Sequence, residues 1–330
     1  MLSENKNQMK KIGLITSGGD APGMNACIRA VVRTARAEKI DVIGFYRGYE
    51  GLIDNDSITL TKSTVSNIIQ RGGTILKTAR SARFMTPEGM QMAVQTLQKH
   101  QLDGFIVIGG DGSFKGALDF SRLHDIKTVG CPGTIDNDLI GTDFTIGYDT
   151  ATNTVVDAVD KIRDTAESHD RIFVVEVMGR DAGLIALRSA IACGAEAILI
   201  PERKDDLNIL LSKIKSWRKS KSSKIIIVAE GDETGGAFEV SEIIKKECPE
   251  FDVKVTILGH IQRGGNPTCM ERVNASLIGY YAVKALQNNH TNEMIGLVNK
   301  TVCYTPFKDA VKHIEVLNPE MLKILETLSA

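Results

Sequence analysis

Five short glycine-rich segments, each directly after an apolar run, constrain the fold of this chain more than any other feature. The apolar runs have the length of buried β-strands, and helical patterns follow several of the glycine segments. Strand, glycine turn and helix in that order is the opening of a parallel α/β unit. In open sheets of this kind, the ligand crevice lies at the carboxyl ends of the strands. The segments are SGGDAPG at 17–23, GGDGS at 109–113, PGTIDND at 132–138, MGR at 178–180 and GHIQRGG at 259–265.

The remaining pattern extends this α/β interpretation along the chain. Further apolar runs and helical periodicities alternate, without a short-period repeat. Strands are predicted at 11–16, 41–45, 104–108, 128–130, 171–177, 197–200, 224–229 and 253–258. Helices are predicted from residue 21, at 63–71, at 88–98, after 113, at 150–166 and from 266–268 to about 287.

Length and linker composition predict two closely packed domains. The chain has 330 residues, more than one ordinary domain, and no Pro-, Ser- or charge-rich linker divides it. We therefore expect two similar doubly wound, mainly parallel-sheet (Rossmann-like) α/β domains with the active site in the cleft between them. The first residues, MLSENKNQMKK, are expected to begin with a disordered tail over 1–9.

Composition argues against several classes of protein. The net charge is -1, so no global field draws the chain to nucleic acid or to a membrane surface. No apolar run approaches the roughly 18 residues that span a bilayer, and the N-terminus lacks the apolar region of a signal peptide. The six cysteines are widely spaced and form no C-x-x-C, which predicts free thiols in a reducing cytoplasm.

The segment 109–113 combines glycines with Asp111. Glycine lets backbone N–H groups approach phosphate oxygens, and the N-terminus of the following helix favours negative charge. Asp111 would repel a phosphate, but it suits Mg2+, which proteins bind through one or two carboxylates together with substrate phosphates. The alternative is a tight turn in which Asp111 is the helix N-cap.

The segment 132–138 carries two carboxylates, Asp136 and Asp138, two positions apart. In an extended segment they lie on one side and can serve one metal–phosphate site. One of them can accept the proton of an attacking hydroxyl, as an Asp does in kinases. The alternative is an Asx-turn, which this composition also favours.

Basic residues in or beside these segments supply positive charge for phosphate groups. Arg180 and Arg263 are the stronger candidates because each lies among glycines directly after a strand, and His260 can donate to a sugar or phosphate oxygen. The chain contains no G-x-x-x-x-G-K-[ST], no G-x-G-x-x-G after a strand, no H-R-D and no H-E-x-x-H. The residues by themselves thus predict a Mg2+-dependent phosphate-transfer cleft.

The chain resembles the bacterial ATP-dependent 6-phosphofructokinase family. The resemblance rests on SGGDAPGMNA, RGGT, GGDGS, PGTIDNDL, EVMGRDAG, VAEG and LGHIQRGG, in this order, from about Lys11 to beyond Gly279. GGDG alone also occurs in diacylglycerol and NAD kinases, whereas the ordered set is specific. The resemblance implies transfer of the γ-phosphoryl of MgATP to the C1 hydroxyl of fructose 6-phosphate, giving fructose 1,6-bisphosphate and ADP. It implies the first committed step of glycolysis, in the cytoplasm.

The resemblance also implies roles for individual residues. Asp136 is the proton acceptor, Asp111 holds Mg2+, and Arg171 reaches the sugar-phosphate site of a neighbouring subunit. Further catalytic positions are Thr134, Asp138 and Arg180. ATP-binding positions are Gly19, Arg80, Ser81, Gly110, Asp111, Gly112 and Ser113. Substrate-binding positions are Thr134, Ile135, Asp136, Arg171, Met178, Gly179, Arg180, Glu230, Lys254, His260, Ile261, Gln262 and Arg263.

The resemblance further implies the domain boundaries, a homotetramer with shared active sites and an effector pocket for ADP or phosphoenolpyruvate. The ATP-binding domain is expected at 10–147 with about 267–315, and the smaller fructose 6-phosphate-binding domain at about 148–266 with 316–330. The chain departs from the family at Lys62 and Lys254, where Arg is usual, and at Asn67, where Asp is usual. Effector positions are Arg29, Arg33, Lys62, Arg163, Gly194, Ala195, Glu196, Lys219 and Lys221.

Two glycines bear on the phosphoryl donor. Pyrophosphate-dependent relatives typically carry Asp at the position of Gly112 and Lys at the position of Gly133. A carboxylate at 112 would crowd and repel the α-phosphate of a nucleotide, so glycine favours ATP. The rival functions are a pyrophosphate-dependent phosphotransferase and a catalytically silent nucleotide-binding regulator. The second is disfavoured because Asp111, Asp136 and Asp138 are all present.

Overall fold

The structure, a computed structural model, describes residues 9–169, 171–204, 206–217, 224–311 and 318–329. The chain divides into two compact units that each combine several stretches of sequence. The first unit comprises residues 1–134, 139–147 and 265–312, as far as they are described. The second comprises residues 135–138, 148–264 and 313–330, with the same restriction.

The described residues form strands and helices in alternation over most of the chain. The strands are β1 (Lys11–Thr16), β2 (Asp41–Phe45), β3 (Ser57–Leu60), β4 (Gly104–Gly109), β5 (Lys127–Thr134), β6 (Ile146–Gly147), β7 (Ile172–Val177), β8 (Ala197–Leu199), β9 (Lys224–Ala229), β10 (Val253–Ile257), β11 (Glu293–Val298) and β12 (Thr301–Pro306). The α-helices are α1 (Met24–Ala37), α2 (Tyr49–Asp54), α3 (Pro87–His100), α4 (Asp111–Phe120), α5 (Tyr148–His169), α6 (Leu184–Cys193), α7 (Asp206–Ser216), α8 (Ala237–Glu247), α9 (Cys269–Gln287) and α10 (Pro319–Leu328).

The first unit contains a mixed sheet in the order β12-β11-β5-β4-β1-β2-β3, with β6 paired to β5. The central strands β5, β4, β1 and β2 are parallel, whereas β3 and β12 pair antiparallel at the two edges. Every residue of β4 is buried, as expected for a parallel strand covered on both faces. The hydrophobic core of the first unit includes six phenylalanine rings: Phe45, Phe84, Phe105, Phe114, Phe120 and Phe307.

The second unit contains a wholly parallel sheet in the order β10-β7-β9-β8. Its strands are rich in Ile and Val, and β9 is buried along its full length. The core of this unit includes Ile172, Val174, Ile226 and Val228 from the sheet and Ile244 from α8. Both units therefore confirm the predicted α/β class with mainly parallel sheets.

The short helix predicted at 63–71 is wrong. This stretch consists of turns, closed by bonds such as Ser66 N–H to the Ser63 carbonyl at 3.1 Å and Arg71 N–H to the Ile68 carbonyl at 3.0 Å. Asn67 has a φ of 55°, a left-handed conformation that interrupts a right-handed helix. The apolar spacing there reflects the burial of Val65 and Ile68 in turns.

The cysteines form no disulfide, as their wide spacing predicted. All six cysteines are free thiols, and Cys27, Cys131 and Cys248 are buried. Cys27 and burial together raise the pKa of the Cys131 thiol well above its usual range, so it stays protonated. Within the described ranges, no helix combines the length and apolar character needed to cross a membrane.

Candidate active site

In the first unit, three of the glycine-rich segments follow neighbouring strands. β1 pairs with β2 on one side and with β4 on the other, so the strand order reverses between β1 and β4. Such a reversal opens a crevice at the carboxyl ends of the strands, where ligands bind. Gly18 and Gly19 follow β1, and Thr134 ends β5. Gly110 and the first three residues of α4 follow β4, and we call this stretch the 110–113 turn. The sheet order thus brings together the segments predicted for ATP.

Hydrogen bonds hold the first two of these segments against each other. The Ser17 N–H donates to the Ile108 carbonyl at 2.9 Å, and the Ser113 hydroxyl donates to the Ser17 hydroxyl at 2.9 Å. Gly109 has to be glycine here, because a Cβ would lie 2.6 Å from Ser113 Oγ and 2.7 Å from the Ser17 carbonyl oxygen. The backbone after β4 therefore packs directly on the backbone after β1.

Asp111 is the first residue of α4, and Gly110 is its N-cap. The alternative in which Asp111 caps the helix is therefore wrong. The Asp111 carboxylate accepts a hydrogen bond from Lys115 Nζ at 2.8 Å, one turn further along the helix. The N-terminus of α4 follows the end of β4 and favours a bound anion. A Cβ at Gly112 would meet nothing within 4 Å, so no packing within the chain requires glycine there.

Arg80 and Ser81 belong to a segment that is hydrogen-bonded to the turn after β1. The Thr78 hydroxyl donates to the Gly18 carbonyl at 2.8 Å, which fixes the start of the segment. Arg80 is exposed, and the Ser81 hydroxyl donates to Glu50 Oε1 at 2.6 Å. Glycine-turn patterns gave no indication of Glu50, because it lies in α2 and 31 residues away from Ser81.

In the second unit, three predicted segments lie at one edge of the parallel sheet. β7 is the neighbour of both β10 and β9, so residues 178–180, 230 and 259–263 all follow adjacent strand ends. The Glu230 carboxylate accepts from the Arg180 N–H at 2.9 Å. Gln262 Oε1 accepts from the Met178 N–H at 3.3 Å, and the Gln262 side chain is fully buried. Glu230 and Gln262 thus shape the turn after β7.

The turn after β7 has unusual backbone geometry. Gly179 has a φ of 142° and Arg180 a φ of 53°, and residues other than glycine rarely adopt positive φ values. A Cβ at Gly179 would lie 2.4 Å from the Ala182 carbonyl oxygen. Strained backbone of this kind occurs where a side chain has to be aimed at a site.

Arg180 is aimed at Asp136. Its Nε lies 3.6 Å from Asp136 Oδ2, and the Asp136 side chain is only 4% exposed while that of Arg180 is 47% exposed. The extended geometry expected for Asp136 and Asp138 is wrong, because Asn137 between them has a φ of 56°. Both carboxylates are nevertheless buried within the second unit, and Ile135 is completely buried beside them.

Arg171 and Lys254 share one carboxylate. Arg171 Nε lies 2.7 Å from Asp252 Oδ2, and Lys254 Nζ lies 2.8 Å from Asp252 Oδ1. The parallel register of β10 on β7 places these residues side by side. Hydrogen bonds from Lys254 and then from Arg171 lower the pKa of Asp252, so the carboxylate stays charged. Two of the predicted phosphate-binding cations are thus presented together.

The other predicted substrate positions follow β10 in a short 3-10 turn, Gly259–Arg263. His260 and Ile261 are exposed, the latter by 57%, and Arg263 is half-buried. These side chains stand at the same sheet edge as Arg180.

The predicted effector residues fall in both units. In the first unit, Arg29 and Arg33 lie one turn apart on α1, and burial followed by the charge of Arg33 lowers the pKa of Arg29. Lys62 is exposed in the turn region before Asn67.

In the second unit, Arg163 donates to the carbonyls of Cys193 at 2.6 Å and Gly194 at 3.3 Å. Ala195 and Glu196 are buried, and the Glu196 carboxylate accepts from the Ile225 N–H. The calls on Lys219 and Lys221 lie outside the described residues.

A metal at Asp111 would need ligands from outside the protein. Among the described residues, no group of three or more His, Cys, Asp or Glu side chains is arranged to hold a metal ion. One carboxylate at a helix N-terminus beside a glycine turn suits a cation that arrives with phosphate groups and keeps its waters. Asp111 and the glycines around it therefore fit a divalent cation that arrives with the nucleotide.

Comparisons with known proteins identify the family of the chain. A sequence profile of the family described as Phosphofructokinase matches residues 11–286. ATP-dependent 6-phosphofructokinase 2 of Bacteroides thetaiotaomicron is 52% identical over 97% of this chain and 99% of its own length. ATP-dependent 6-phosphofructokinase 1 of Thermus thermophilus is 50% identical over 97% of this chain and 100% of its own length.

A solved structure is also similar. The phosphofructokinase from Saccharomyces cerevisiae superposes with a TM-score of 0.86 at 36% identity, over 97% of this chain and 48% of the yeast chain. The profile covers far more than half of the sequence, and the curated relatives match over nearly full length. The chain therefore belongs to the phosphofructokinase family of kinases.

Proposed function

We propose that this chain is an ATP-dependent 6-phosphofructokinase, which transfers the γ-phosphoryl of ATP to the C1 hydroxyl of fructose 6-phosphate. The observation that carries the proposal is the near-full-length identity of 52% and 50% to two relatives named for this activity. The products are fructose 1,6-bisphosphate and ADP. By the same reasoning we place the reaction at the first committed step of glycolysis, in the cytoplasm.

Asp136 is the proposed proton acceptor. It is a buried carboxylate, 3.6 Å from the Arg180 guanidinium, and the other predicted sugar-binding segments of its unit meet at one sheet edge. A positioned carboxylate takes the proton of the attacking hydroxyl as the oxygen–phosphorus bond forms. Arg180 adds positive charge near the reacting groups, where negative charge develops on the transferring phosphoryl.

Residues of the first unit are proposed to hold the nucleotide. The backbone N–H groups of the 110–113 turn and the α4 N-terminus bind phosphate oxygens, and Arg80 contributes charge from an exposed position. Asp111 would hold Mg2+, which screens the charge of the phosphates when bound. Lys115 Nζ lies 2.8 Å from Asp111 Oδ2, so a cation held by Asp111 would compete with this ion pair.

The donor is tested by measuring turnover of fructose 6-phosphate with ATP and, separately, with pyrophosphate. We expect turnover with ATP and negligible turnover with pyrophosphate. Gly112→Asp is the matched variant, since a Cβ at this position meets nothing within 4 Å and the substitution places a carboxylate in the predicted nucleotide site. We expect a loss of about 10-fold or more in kcat/KM for ATP, from like-charge repulsion at the phosphates. Preferential use of pyrophosphate by the unmodified chain would overturn the proposal.

Effector binding and assembly are further parts of the proposal. Two arginines, Arg29 and Arg33, lie one turn apart on α1 and favour a bound anion such as ADP or phosphoenolpyruvate. We propose a homotetramer in which Arg171 serves a neighbouring active site. Sedimentation of the pure chain measures its assembly state. Binding of ADP and phosphoenolpyruvate is measured by titration into Arg29→Ala and unmodified protein. Kinetics with each anion then decide whether binding at Arg29 and Arg33 regulates turnover.

A further inference from the structure

Two consecutive residues of α2 connect the two nucleotide segments of the first unit. The Tyr49 hydroxyl donates to the Ser113 carbonyl at 2.8 Å, beneath the turn that carries Asp111. The Tyr49 ring is also stacked on Phe84, with centroids 3.8 Å apart and planes inclined by 15°. Both rings are buried, so α2 is anchored to the 110–113 turn on one side and to the 80–85 segment on the other.

Glu50 holds the 80–85 segment through both of its carboxylate oxygens. Oε1 accepts from the Ser81 hydroxyl at 2.6 Å, and Oε2 accepts from Arg83 Nη1 at 3.0 Å. The same Arg83 nitrogen lies 2.9 Å from Asp54 Oδ1, one turn further along α2. The Glu50 side chain is 20% exposed, so its bonds are shielded from water more than those of an ordinary surface pair.

The bond to Glu50 occupies the only hydrogen-bond donor of the Ser81 side chain. A hydroxyl carries a single proton, and that of Ser81 is donated to Glu50. The Ser81 oxygen also accepts from the Phe84 N–H at 3.0 Å, closing the turn that begins the 3-10 segment Arg83–Met85. The side chain of Ser81 is therefore a structural element of its own segment, and its proton is not offered to a ligand.

We propose that Glu50 is a positioning residue for the nucleotide. It fixes the 80–85 segment against α2, so that Arg80 and the Ser81 backbone are held in one place relative to the 110–113 turn. This inference rests on the proposed ATP-dependent function. Without the negative charge at Glu50, Ser81 loses its charged acceptor and Arg83 keeps an ion pair only with Asp54, which is 43% exposed. The segment then samples several arrangements, and binding requires that one of them be selected.

The expected effect is a moderate loss of ATP affinity. A hydrogen bond to a charged group contributes more than one between neutral groups, but Arg83 is half exposed and its bond to Glu50 is weakened by water. We expect Glu50→Gln to weaken binding of a non-hydrolysable ATP analogue with Mg2+ by about 3- to 10-fold. Glutamine keeps the size of the side chain and a hydrogen-bonding oxygen, so the fold is preserved.

The test is a double-mutant cycle measured by calorimetric titration of that analogue. Glu50→Gln and Ser81→Ala both affect the Ser81–Glu50 bond, so the double variant is expected to weaken binding by clearly less than the product of the two single factors. In steady-state kinetics the change is expected in KM for ATP and not in KM for fructose 6-phosphate. The matched control is Asp119→Asn at the end of α4, which removes an exposed pair with Arg122 at 3.0 Å.

A second measurement does not depend on the nucleotide. Hydrogen exchange of residues 80–86 is expected to be faster in Glu50→Gln than in the unmodified protein, and unchanged in Asp119→Asn. Unchanged exchange there, or full additivity of the two substitutions on analogue binding, would overturn the positioning role. Additivity would mean that the Ser81 hydroxyl contacts the nucleotide directly. If the unmodified protein neither binds the analogue nor uses ATP, the proposed function fails, and hydrogen exchange alone then decides the structural part.

Discussion

Substitution of Asp136 by Asn tests the central chemical assignment, because the change is isosteric and removes the negative charge together with the ability to accept a proton. The Asp136 side chain is 4% exposed, so an Asn of the same volume leaves packing unchanged. Loss of a general base costs about 10²- to 10⁴-fold in rate. This corresponds to about 3–5 kcal/mol in the barrier, at 1.36 kcal/mol for each factor of ten. We expect kcat to fall by that factor while affinity for ATP stays within twofold.

The stability of the Asp136→Asn variant is expected to change little. The ion pair with Arg180 is long, at 3.6 Å, and the arginine is 47% exposed. Pairs of this kind contribute about 1 kcal/mol or less, which shifts Tm by only a few degrees in a chain of this size. A drop in kcat without a large drop in Tm therefore separates lost chemistry from unfolding.

The assay couples fructose 1,6-bisphosphate to aldolase and NADH oxidation, which avoids adding phosphoenolpyruvate. The matched control is Asp149→Asn, a second buried carboxylate of the same unit, 3.5 Å from Arg188 and 11% exposed. The control is expected to keep kcat within about threefold. Turnover of Asp136→Asn within about fivefold of the unmodified enzyme would refute the role of Asp136. An equal loss in both variants would indicate a general effect of buried charge.

Two other substitutions test separate parts of the structure. Lys254→Ala is expected to raise KM for fructose 6-phosphate by about 10-fold or more, since a charge-assisted bond to phosphate is lost, and to leave KM for ATP unchanged. Arg171 keeps its bond to Asp252 at 2.7 Å in that variant. Burial raises the pKa of Asp206 to about 6, above the ordinary 3.8 and against the lowering effect of Arg203. Folding therefore favours the protonated acid. Its contribution to the free energy of unfolding is fully present below about pH 4 and is lost as the pH rises through 6. The total change is at most about 3 kcal/mol. Asp206→Asn is expected to raise Tm relative to the unmodified protein at pH 7.5 and less so at pH 5, as measured by thermal denaturation.

Each of these two predictions has a clear contrary result. An unchanged KM for fructose 6-phosphate in Lys254→Ala would exclude that lysine from sugar-phosphate binding. For Asp206, a Tm difference that does not grow between pH 5 and pH 7.5 would mean that the carboxyl titrates near its ordinary value. Lys323→Ala, on the exposed face of α10, is a suitable surface control for both.

The local sequence predicted eight of the strands and most of the longer helices, but it gave no prediction for β3, β11, β12 or the helices α2, α6, α7, α8 and α10. Periodicity located most strands and the helices α3, α5 and α9, because each is long enough to show its pattern. It failed at 63–71, where left-handed Asn67 breaks an apparently helical spacing. The extended geometry assumed for Asp136 and Asp138 was also wrong, because the backbone at Asn137 is left-handed. Single residues with positive φ leave little trace in a hydrophobic pattern.

Sequence by itself determined the α/β class and, through the ordered motifs, the family to which the chain belongs, and it predicted Asp111 as a cation ligand. The tertiary structure decided which side chains hold the glycine turns in place. Glu50 meets Ser81 only because α2 packs beside the 80–85 segment, and Arg171 meets Asp252 only because β7 and β10 pair in parallel register. These pairs are 31 and 81 residues apart in sequence. Turn chemistry is encoded locally, whereas such long-range hydrogen bonds depend on the folded chain bringing distant side chains within about 3 Å.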